Sequence, residues 1–304
     1  MKKNVLITGG TGFVGKQLTK LLIANGYSVS VLSRNKKQSS TAISYYTWDV
    51  EKQIIEKESV LKADYIIHLA GENIAGKRWT DKRKEAILSS RELSARLIFD
   101  TLQQSNTKIE AFITASAVGI YGAINGRAIC NEEMQAAYDF LGLTCQKWEA
   151  AAGPFEKKGI RTVMLRTGLV LGANEGLLAK LTPVFKWKLG APLGSGKQYM
   201  PWIHIDDLCK MYLEAISNPK MSGPYNAAIT DDTTNEVFSN TLAKVLGYSI
   251  WLPNVPAFLI RLGLGEMSKL LLTGRRVLNA KIRSLGFEFT HTNLEEALKD
   301  CLSK

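Results

Sequence analysis

The stretch Thr8-Gly9-Gly10-Thr11-Gly12-Phe13-Val14-Gly15 decides the fold of this chain. The apolar residues just before it, 5–7, predict a short buried strand. The apolar residues within 14–22 recur at helical spacing and predict a helix that ends at Asn25-Gly26. A glycine-rich turn between a strand and a helix is typical of a dinucleotide-binding site.

The spacing of the glycines predicts a structural role for three of them in the turn. Gly9 permits a tight turn, Gly12 lets the backbone approach a pyrophosphate, and Gly15 lets the helix pack closely on the strand. The start of the helix then offers free N–H groups and a positive dipole to the phosphates. The predicted contacts in this loop are Gly9, Thr11, Gly12, Phe13, Val14 and Gly15. The alternative is a glycine turn without a ligand.

The end of the second predicted strand, residues 29–32, selects the cofactor. An acidic residue there would accept hydrogen bonds from the ribose 2′-hydroxyl of NAD(H). This chain has Ser33-Arg34 instead, so no carboxylate repels a 2′-phosphate and Arg34 can bind it. We therefore predict NADP(H), with Asp49 as a weaker candidate for the adenine amino group. A solvated surface arginine is the alternative for Arg34.

Strand and helix patterns alternate through the first half of the chain. Further strands are predicted at 65–69, 112–114 and 163–165, and helices near 81–104 and 139–157. This alternation predicts an α/β fold, a Rossmann-type doubly wound parallel sheet with a smaller C-terminal α/β substrate lobe. We place the NADP-binding domain at 1–170, to which a later strand and helix can return, and the substrate lobe at 171–304, which opens rich in glycine and proline.

Composition limits the partners and the compartment. The 304 residues carry a net charge of +11, but the basic residues are dispersed and no aromatic-interleaved basic run predicts nucleic-acid binding. No signal peptide is expected, and residues 255–272, the most apolar stretch, contain three charges, which argues against a membrane span. We interpret that stretch as a helix packed over a cleft. We expect a cytoplasmic protein with no nucleic-acid or membrane partner.

The cysteines and histidines show no metal-binding pattern in the sequence. The four cysteines lie far apart, with no Cys-x-x-Cys pair, and the three histidines are scattered. We expect free thiols in a reducing compartment and no metal site. The residues in question are Cys130, Cys145, Cys209, Cys301, His68, His204 and His291.

Several further motifs carry a resemblance to a known family. They are His68-Leu69-Ala70-Gly71-Glu72-Asn73-Ile74, Ser116-Ala117-Val118-Gly119, Tyr121-Gly122, Trp148-Glu149-Ala150-Ala151, Arg166-Thr167-Gly168-Leu169-Val170-Leu171-Gly172, Trp202-Ile203-His204-Ile205-Asp206-Asp207-Leu208 and Gly286-Phe287. Together they resemble the extended short-chain dehydrogenase/reductases, and among these the atypical "epimerase family protein" branch with its C-terminal domain of unknown function. The resemblance covers nearly the whole chain. It implies a Rossmann sheet that holds the cofactor, with Leu69, Ala70 and Gly71 beside its ribose, and a smaller lobe that holds the substrate.

The catalytic residues of the resembled family are missing here. Extended short-chain dehydrogenases use a Tyr-x-x-x-Lys pair and a Ser or Thr, in which the lysine lowers the pKa of the tyrosine. If Glu149 marks the acid after the lysine, Leu141 and Cys145 occupy the tyrosine and lysine positions. The hydroxyl position holds Ala117, with Ser116 one residue away, and Ser90-Arg91 stands where an asparagine is expected.

The contacts typical of sugar-nucleotide enzymes are also absent. Leu169 stands where those enzymes have an asparagine, and Met200 where they have an arginine for the diphosphate. A nucleotide-sugar epimerase is therefore disfavoured. We predict Tyr121 and Ser116 as catalytic candidates, with Cys145, Glu72 and His204 as further groups that can replace the lost relay. For each of them a structural role is the alternative.

The remaining predicted cofactor contacts are Glu72, Ala115, Cys145 and Arg166. Arg275 and Arg276 either bind an acidic substrate or are solvated. Two functions stay open: an NADP(H)-dependent oxidoreductase or isomerase acting on an unidentified small molecule, and a non-catalytic NADPH-binding sensor or partner-docking protein. A homodimer is a further state that the resemblance leaves open.

Overall fold

The computed structural model describes residues 2–105, 107–123, 125–126, 128–173 and 175–303. The strands are β1 Asn4–Thr8, β2 Ser28–Ser33, β3 Ile43–Asp49, β4 Ile54–Ile55, β5 Tyr65–His68, β6 Ala111–Ala117, β7 Ile129–Cys130, β8 Arg161–Thr167, β9 Leu169–Leu171, β10 Trp202–His204, β11 Gly223–Ala227 and β12 Arg276–Val277. Eight of them form one sheet in the order β11-β8-β6-β5-β1-β2-β3-β4, parallel except for β4. The predicted doubly wound parallel sheet is confirmed.

Helices cover both faces of this sheet. They are α1 Phe13–Ala24, α2 Glu58–Leu61, α3 Asp81–Gln103, α4 Phe140–Ala150, α5 Gly153–Lys157, α6 Gly176–Lys186, α7 Ile205–Ser217, α8 Asn235–Val245, α9 Ala257–Leu264, α10 Lys269–Leu272, α11 Ala280–Arg283 and α12 Leu294–Ser303, with 3-10 turns at Val118–Tyr121 and Gly265–Ser268. The helix predicted over 139–157 is divided into α4 and α5, because Pro154 starts a new helix in its first turn.

Alternation along the strands fills two hydrophobic cores. In β1, Val5 and Ile7 point to one core while Leu6 points to the other, and all three are fully buried. A strand buried on both faces needs such a continuous apolar run, which is what residues 5–7 provide. Because β1 pairs with β2 on one side and β5 on the other, the direction of winding reverses beside β1. Ligands of open α/β sheets bind at this switch point, outside the carboxyl ends of the strands.

The second half of the chain contributes to both the sheet and the smaller lobe. β11 pairs with β8 at one edge of the sheet, and α7 packs against α1. Beside the sheet, β9 pairs with β10, and β7 pairs with β12. The β7–β12 pair joins segments that lie more than a hundred residues apart in the chain. These short pairs attach the lobe to the carboxyl ends of the central strands.

The apolar stretch 255–272 does not form one helix. It is divided at Gly265, whose φ of +58° lies in the left-handed region and ends α9. A guanidinium, that of Arg78, packs against this glycine, so a side chain there would collide with it. Across the part of the chain that the structure describes, no helix has the length and apolar character needed to cross a membrane.

Candidate functional site

The glycine loop forms an open cradle at the end of β1. Gly9 has a φ of +69°, and the N–H of Gly12 donates to the carbonyl oxygen of Gly9 over 3.0 Å, which closes the turn. Gly12 is the N-cap of α1, and no side chain caps that end of the helix. The first N–H groups of α1 therefore face the space above the loop with the positive end of the helix dipole.

The glycine positions fit a bound dinucleotide. A Cβ on Gly15 would overlap the carbonyl oxygen of Gly9 and lie 2.5 Å from the Cα of Gly10, so helix and turn touch there. A Cβ on Gly12 would meet only the Gly9 oxygen, at 3.3 Å, which leaves its outer side open to a phosphate. The first turn of α1 carries no acidic residue that would repel one. The loop thus has the shape and polarity that a pyrophosphate needs.

A chain of hydrogen bonds fixes the backbone beside this cradle. The hydroxyl of Thr8 accepts from the N–H groups of Leu69 and Ala70, both at 3.1 Å, and must therefore donate to Nδ1 of His68, at 2.7 Å. Nε2 of His68 then carries the proton and faces Oγ of Ser94 at 3.1 Å. Burial lowers the pKa of His68 to about 4, so the ring is neutral. This histidine positions the residues predicted to border the cofactor ribose.

The residues predicted to select the cofactor lie at the ends of β2 and β3. Ser33 is buried and its hydroxyl accepts from the N–H of Asn35, while Arg34 is exposed directly after the strand. Asp49 accepts from the N–H of Lys52 over 3.0 Å, and this backbone bond lowers the pKa of its carboxyl. Arg34 is therefore accessible to a ligand, whereas Asp49 already caps its own turn. Both cofactor contacts stay predictions.

A buried cation lies next to the loop that follows β5. Arg91 is 7% exposed, donates to the carbonyl oxygens of Ile87 (2.7 Å) and Glu72 (3.1 Å), and stacks over the ring of Trp148 at 4.4 Å. A Cβ on Gly71 would lie 3.1 Å from its Cζ atom. Burial lowers the pKa of Arg91 to about 10, so it remains protonated at neutral pH. From the sequence, Arg91 is noted only because Ser90-Arg91 stands where the resembled family has an asparagine.

The carboxylate of Glu72 is engaged in an ion pair with Arg83. Its N–H donates to the hydroxyl of Ser90, and its carboxylate pairs with Arg83 at 2.6 Å. Arg83 also donates to the carbonyl oxygen of Asn73. The segment after β5 is thus tied to α3 at several points, and Glu72 serves this link whether or not it also contacts a cofactor.

Two apolar side chains face the turn that follows β6. A Cβ on Gly119 would lie 3.6 Å from Cβ of Leu141 and 3.7 Å from Sγ of Cys145. Leu141 has no proton to give. Burial raises the pKa of Cys145 to about 12, so its thiol is neutral and carries no positive charge. Ala117, at the end of β6, brings no hydroxyl to this place.

Both predicted catalytic residues belong to one buried network. The hydroxyl of Ser116 donates to Glu149, over 2.7 Å, and Arg166 binds both carboxylate oxygens of Glu149, at 2.8 and 2.9 Å. The hydroxyl of Tyr121 donates to Oδ1 of Asn226 over 2.6 Å and accepts from Nη1 of Arg166 over 3.2 Å. The network joins β6, β8, β11, α4 and the 3-10 turn.

Charges in this network are set by burial and by the bidentate pair. Burial raises the pKa of Tyr121 to about 12, although Arg166 opposes the shift. Burial works to lower the pKa of Arg166, but the hydrogen bonds and charge of Glu149 outweigh it and raise that pKa. A tyrosine in this state is a poor proton donor at neutral pH. These contacts favour structural roles, while catalysis by Tyr121 and Ser116 and cofactor binding by Arg166 stay predictions.

Two concavities among the described residues lie away from the cradle. One, of about 420 Å³, is lined by Glu149 and Arg166 together with Gln146 and Lys147. Another, of about 340 Å³, lies near Glu132 and Lys281. We place the candidate site at the cradle on the strength of the loop geometry. Ala115, the last predicted contact, is half-buried in β6.

In the lobe, buried polar side chains organise the loop around residues 193–200. Gln198 is buried and donates to the carbonyl oxygens of Leu193 and Leu271, both at 2.9 Å. The guanidinium of Arg276 pairs with Asp232 at 2.8 Å and lies over the ring of Tyr199. The half-buried Arg275 approaches the thiol of Cys130 at 3.9 Å. Arg276 is thus neutralised by a carboxylate, whereas the polar contact of Arg275 is with a thiol.

The fold brings together two histidines that are far apart in the sequence. His204, His291, Asp206 and Asp300 present ligand atoms within 4.8 Å of one another, a grouping that the scattered sequence positions did not predict. Nδ1 of His204 accepts from the N–H of Asp206 and caps α7, so the proton is on Nε2, which lies 3.2 Å from Asp300. The rings of His204 and His291 stack at 3.8 Å. In this arrangement His204 acts as a helix cap, and Nε2 has no lone pair to offer a metal.

The four cysteines are buried. Cys209 and Cys301 belong to the larger hydrophobic core, and Cys130 packs with Tyr121 and Val277. Burial raises the pKa of both Cys130 and Cys209. The thiols of Cys130 and Cys209 are therefore protonated, inert members of the core rather than nucleophiles.

The sheet order and the glycine cradle define a Rossmann-type dinucleotide-binding protein. A family model described as "NAD dependent epimerase/dehydratase family" matches residues 5–228, and one described as "Domain of unknown function (DUF1731)" matches residues 255–301. The chain therefore belongs to the NAD-dependent epimerase/dehydratase family, in the branch that carries a C-terminal DUF1731 domain, and it is an NAD(P)-binding protein. The predicted resemblance is confirmed.

Relatives of the whole chain carry the same family label. The chain is 38% identical to "Epimerase family protein YfhF" of Bacillus subtilis, over 99% of this chain and 98% of that protein. It is 36% identical to "Epimerase family protein SH2119" of Staphylococcus haemolyticus, over 99% of both chains. Among solved structures, human epimerase family protein SDR39U1, determined with NADPH, matches with a TM-score of 0.87 and 28% identity over 99% of both chains.

A more distant likeness shows the fold alone. The UDP-glucose 4-epimerase of Thermotoga maritima matches with a TM-score of 0.77 at 20% identity, over 99% of this chain and 97% of that one. It agrees with the Rossmann-type architecture described above.

Proposed function

We propose that this protein is an NADP(H)-dependent oxidoreductase or isomerase that acts on a small molecule. The observation that carries the proposal is the open glycine cradle together with Ser33-Arg34 at the end of the neighbouring strand. The exposed Arg34 guanidinium is suited to a 2′-phosphate, and no acidic side chain follows β2 directly. The human relative determined with NADPH supports the same cofactor.

Gly9, Gly12 and Gly15 would hold the pyrophosphate, Arg34 the 2′-phosphate, and the Leu69–Gly71 backbone the ribose. When bound, the reduced cofactor supplies a hydride from its nicotinamide ring. Leu141 and Cys145 supply neither the proton donor nor the positive charge of a Tyr–Lys pair. We propose that Arg91, the buried cation beside Gly71 and Trp148, supplies the charge that holds the cofactor.

The substrate side of the proposal rests on the lobe. Arg275 is a half-buried cation close to the thiol of Cys130, and it directly precedes β12, the strand that pairs with β7. It is suited to an acidic group of a small substrate. Met200 stands where sugar-nucleotide enzymes have an arginine for the diphosphate, so a nucleoside-diphosphate sugar is disfavoured as the substrate. The buried thiols agree with action in the cytoplasm.

The test is turnover of NADPH by purified protein, followed at 340 nm with a panel of carbonyl and enone compounds, with and without an acidic group. We expect oxidation of NADPH with some members of the panel and none with the Gly15→Val variant, in which the side chain overlaps the turn. The Gly153→Ala variant, whose Cβ meets no atom within 4 Å, is the matched control. Tight NADPH binding without turnover of any compound would contradict the enzymatic proposal.

One observation favours a second function. Leu141 and Cys145 lack titratable chemistry at neutral pH, and the hydroxyls of Tyr121 and Ser116 are committed to a buried network. This arrangement suits a non-catalytic protein that senses NADPH or docks a partner. It predicts a cofactor-dependent rise in the melting temperature, because a ligand that binds only the native state stabilises it, and no chemistry. Absence of any rise with NADP(H) would contradict both functions.

A further inference from the structure

Large apolar side chains are exposed together on one part of the smaller lobe. Trp187 is 79% exposed, Trp251 69%, Phe258 66% and Leu262 74%. The full set, called here the lobe surface, is Val184, Trp187, Leu189, Trp251, Phe258, Leu259 and Leu262. Soluble proteins rarely leave so many large apolar side chains exposed side by side, and such patches mark interaction sites.

The two segments that carry the lobe surface lie against each other. The indole N–H of Trp251 donates to the carbonyl oxygen of Lys188 over 3.0 Å. A few residues on, Val255 accepts from Gly194 and donates to Pro192, both over 2.8 Å, and forms a parallel bridge with Leu193. The segment 187–194 and the segment 251–257 thus form one continuous region, from which α9 extends.

Helical periodicity places the exposed apolar residues on the outward-facing sides of α9 and α6. In α9, Ile260 is buried, while Phe258 and Leu262, one turn apart, share the opposite face with Leu259 beside them. In α6, Phe185 and Leu178 are buried, and Val184 faces out. An ordinary surface helix would carry polar residues at these outward positions.

The charged residues within the two segments that carry the lobe surface are all basic. No Asp or Glu occurs between residues 176 and 205, or between residues 237 and 265. The bases in these two segments are Lys180, Lys186, Lys188, Lys197, Lys244 and Arg261. Lys186, Lys188 and Arg261 are exposed, and they lie next to the exposed apolar residues in the chain. The surface therefore combines apolar side chains with positive charge.

We infer that the lobe surface binds the surface of an anionic phospholipid bilayer. Exposed Trp, Phe and Leu side chains insert at the headgroup level, while flanking Lys and Arg pair with anionic headgroups. Tryptophan prefers this interface because its ring is apolar and its N–H is polar. A second copy of the chain is disfavoured as the occupant, because it would bring its own bases and a net charge of +11. This inference replaces the expectation that no membrane partner exists.

The tryptophans provide a direct probe. The chain has six, of which Trp48, Trp79, Trp148 and Trp202 are buried, so Trp187 and Trp251 alone are exposed to lipid. The full-length protein is mixed with vesicles of phosphatidylcholine alone, or of equal parts phosphatidylcholine and phosphatidylglycerol, that contain brominated acyl chains. We expect quenching of tryptophan fluorescence with the anionic vesicles only. In the Trp187→Phe/Trp251→Phe variant, which keeps the apolar contacts, we expect binding by sedimentation without that quenching.

Two variants and two controls define the contacts. Lys188→Gln/Arg261→Gln should weaken partitioning about fivefold for each charge removed. Leu262→Ser should weaken it about tenfold. The controls are Ile54→Ser, an exposed apolar residue on β4, and Lys57→Gln, an exposed base before α2, and both should leave partitioning unchanged.

Other outcomes would overturn the inference. These are absence of binding to anionic vesicles, equal binding to both kinds of vesicle, or equal loss with the control variants. Size-exclusion chromatography with light scattering, without lipid, tests whether a second copy of the chain covers the surface instead. A dimer that the Leu262→Ser variant dissociates would assign the surface to a second copy. If the protein is a monomer that binds an immobilised acidic protein but not anionic vesicles, the lobe surface would be assigned to a protein partner instead.

Discussion

The hydroxyl of Tyr121 donates a 2.6 Å hydrogen bond to Oδ1 of Asn226, a residue 105 positions further along the chain. The bond joins the turn after β6 to the edge strand β11. Nδ2 of Asn226 donates to the carbonyl oxygen of Leu278, which extends the link to the C-terminal segment. The tyrosine predicted to be catalytic thus holds the lobe to the sheet.

Replacing Tyr121 with Phe should lower the free energy of unfolding by about 1–2 kcal/mol, because a buried acceptor on Asn226 and a donor on Arg166 lose their partner. Denaturation by urea checks the stability, and titration of NADPH fluorescence should give an unchanged Kd. Tyr138→Phe, at an exposed position, is the control and should change neither. Unchanged stability with a large loss of turnover would instead assign catalysis to Tyr121.

Gly15→Ala should abolish binding of NADP(H) and destabilise the protein by about 1–3 kcal/mol. The added methyl group overlaps the turn at Gly9 and lies 2.5 Å from the Cα of Gly10, so α1 must move away from β1. Calorimetric titration and thermal unfolding measure the two effects. Full retention of NADPH affinity would show that the phosphates bind elsewhere.

His68 should make stability fall as the pH is lowered from about 6.5 to 4. Its pKa is about 4 in the folded protein and 6.5 in the unfolded chain, so only the unfolded chain gains a proton in this window. The contribution lost is roughly 3 kcal/mol, at about 1.4 kcal/mol for each pH unit. Urea denaturation at several pH values should give a flatter profile for His68→Gln. The same slope in both proteins would disprove the assignment.

Arg91→Met should weaken binding of NADP(H) about tenfold or more while keeping the fold, because methionine fills similar space and the desolvation of the buried guanidinium offsets much of what its two hydrogen bonds contribute. Arg91→Lys, which retains the charge but not the planar group stacked on Trp148, should show an intermediate loss. Fluorescence titration with NADPH gives both values. An unchanged Kd in the methionine variant would remove Arg91 from the site.

The sequence predicted best what depends on neighbouring residues. The strand, glycine turn and helix from Asn4 to Ala24 were predictable because the pattern of apolar residues and glycines is local there. Ser33-Arg34 likewise lies at the end of its strand, with Ser33 as the last residue of β2. The apolar patterns further along the chain predicted the strands at 65–69, 112–114 and 163–165, but not their order in the sheet.

Contacts between distant residues were not predictable in this way. Nothing in the spacing of Tyr121 and Asn226, or of Ser116 and Glu149, indicates that they share hydrogen bonds. The apolar stretch 255–272 has the composition of a helix, but the left-handed backbone at Gly265 divides it. The exposure of Phe258 and Leu262 follows from packing of the lobe, which the sequence alone does not reveal.

The most direct test of the proposed cofactor compares the affinities of the wild type and Arg34→Ala for NADPH and NADH by calorimetry. We predict that the wild type prefers NADPH, and that Arg34→Ala loses about one to two decades of NADPH affinity, from roughly 1.5–3 kcal/mol of charge-assisted bonding, with little change for NADH. Arg96→Ala, an exposed arginine of α3, should change neither. Equal losses for both cofactors, or a wild-type preference for NADH, would contradict the account.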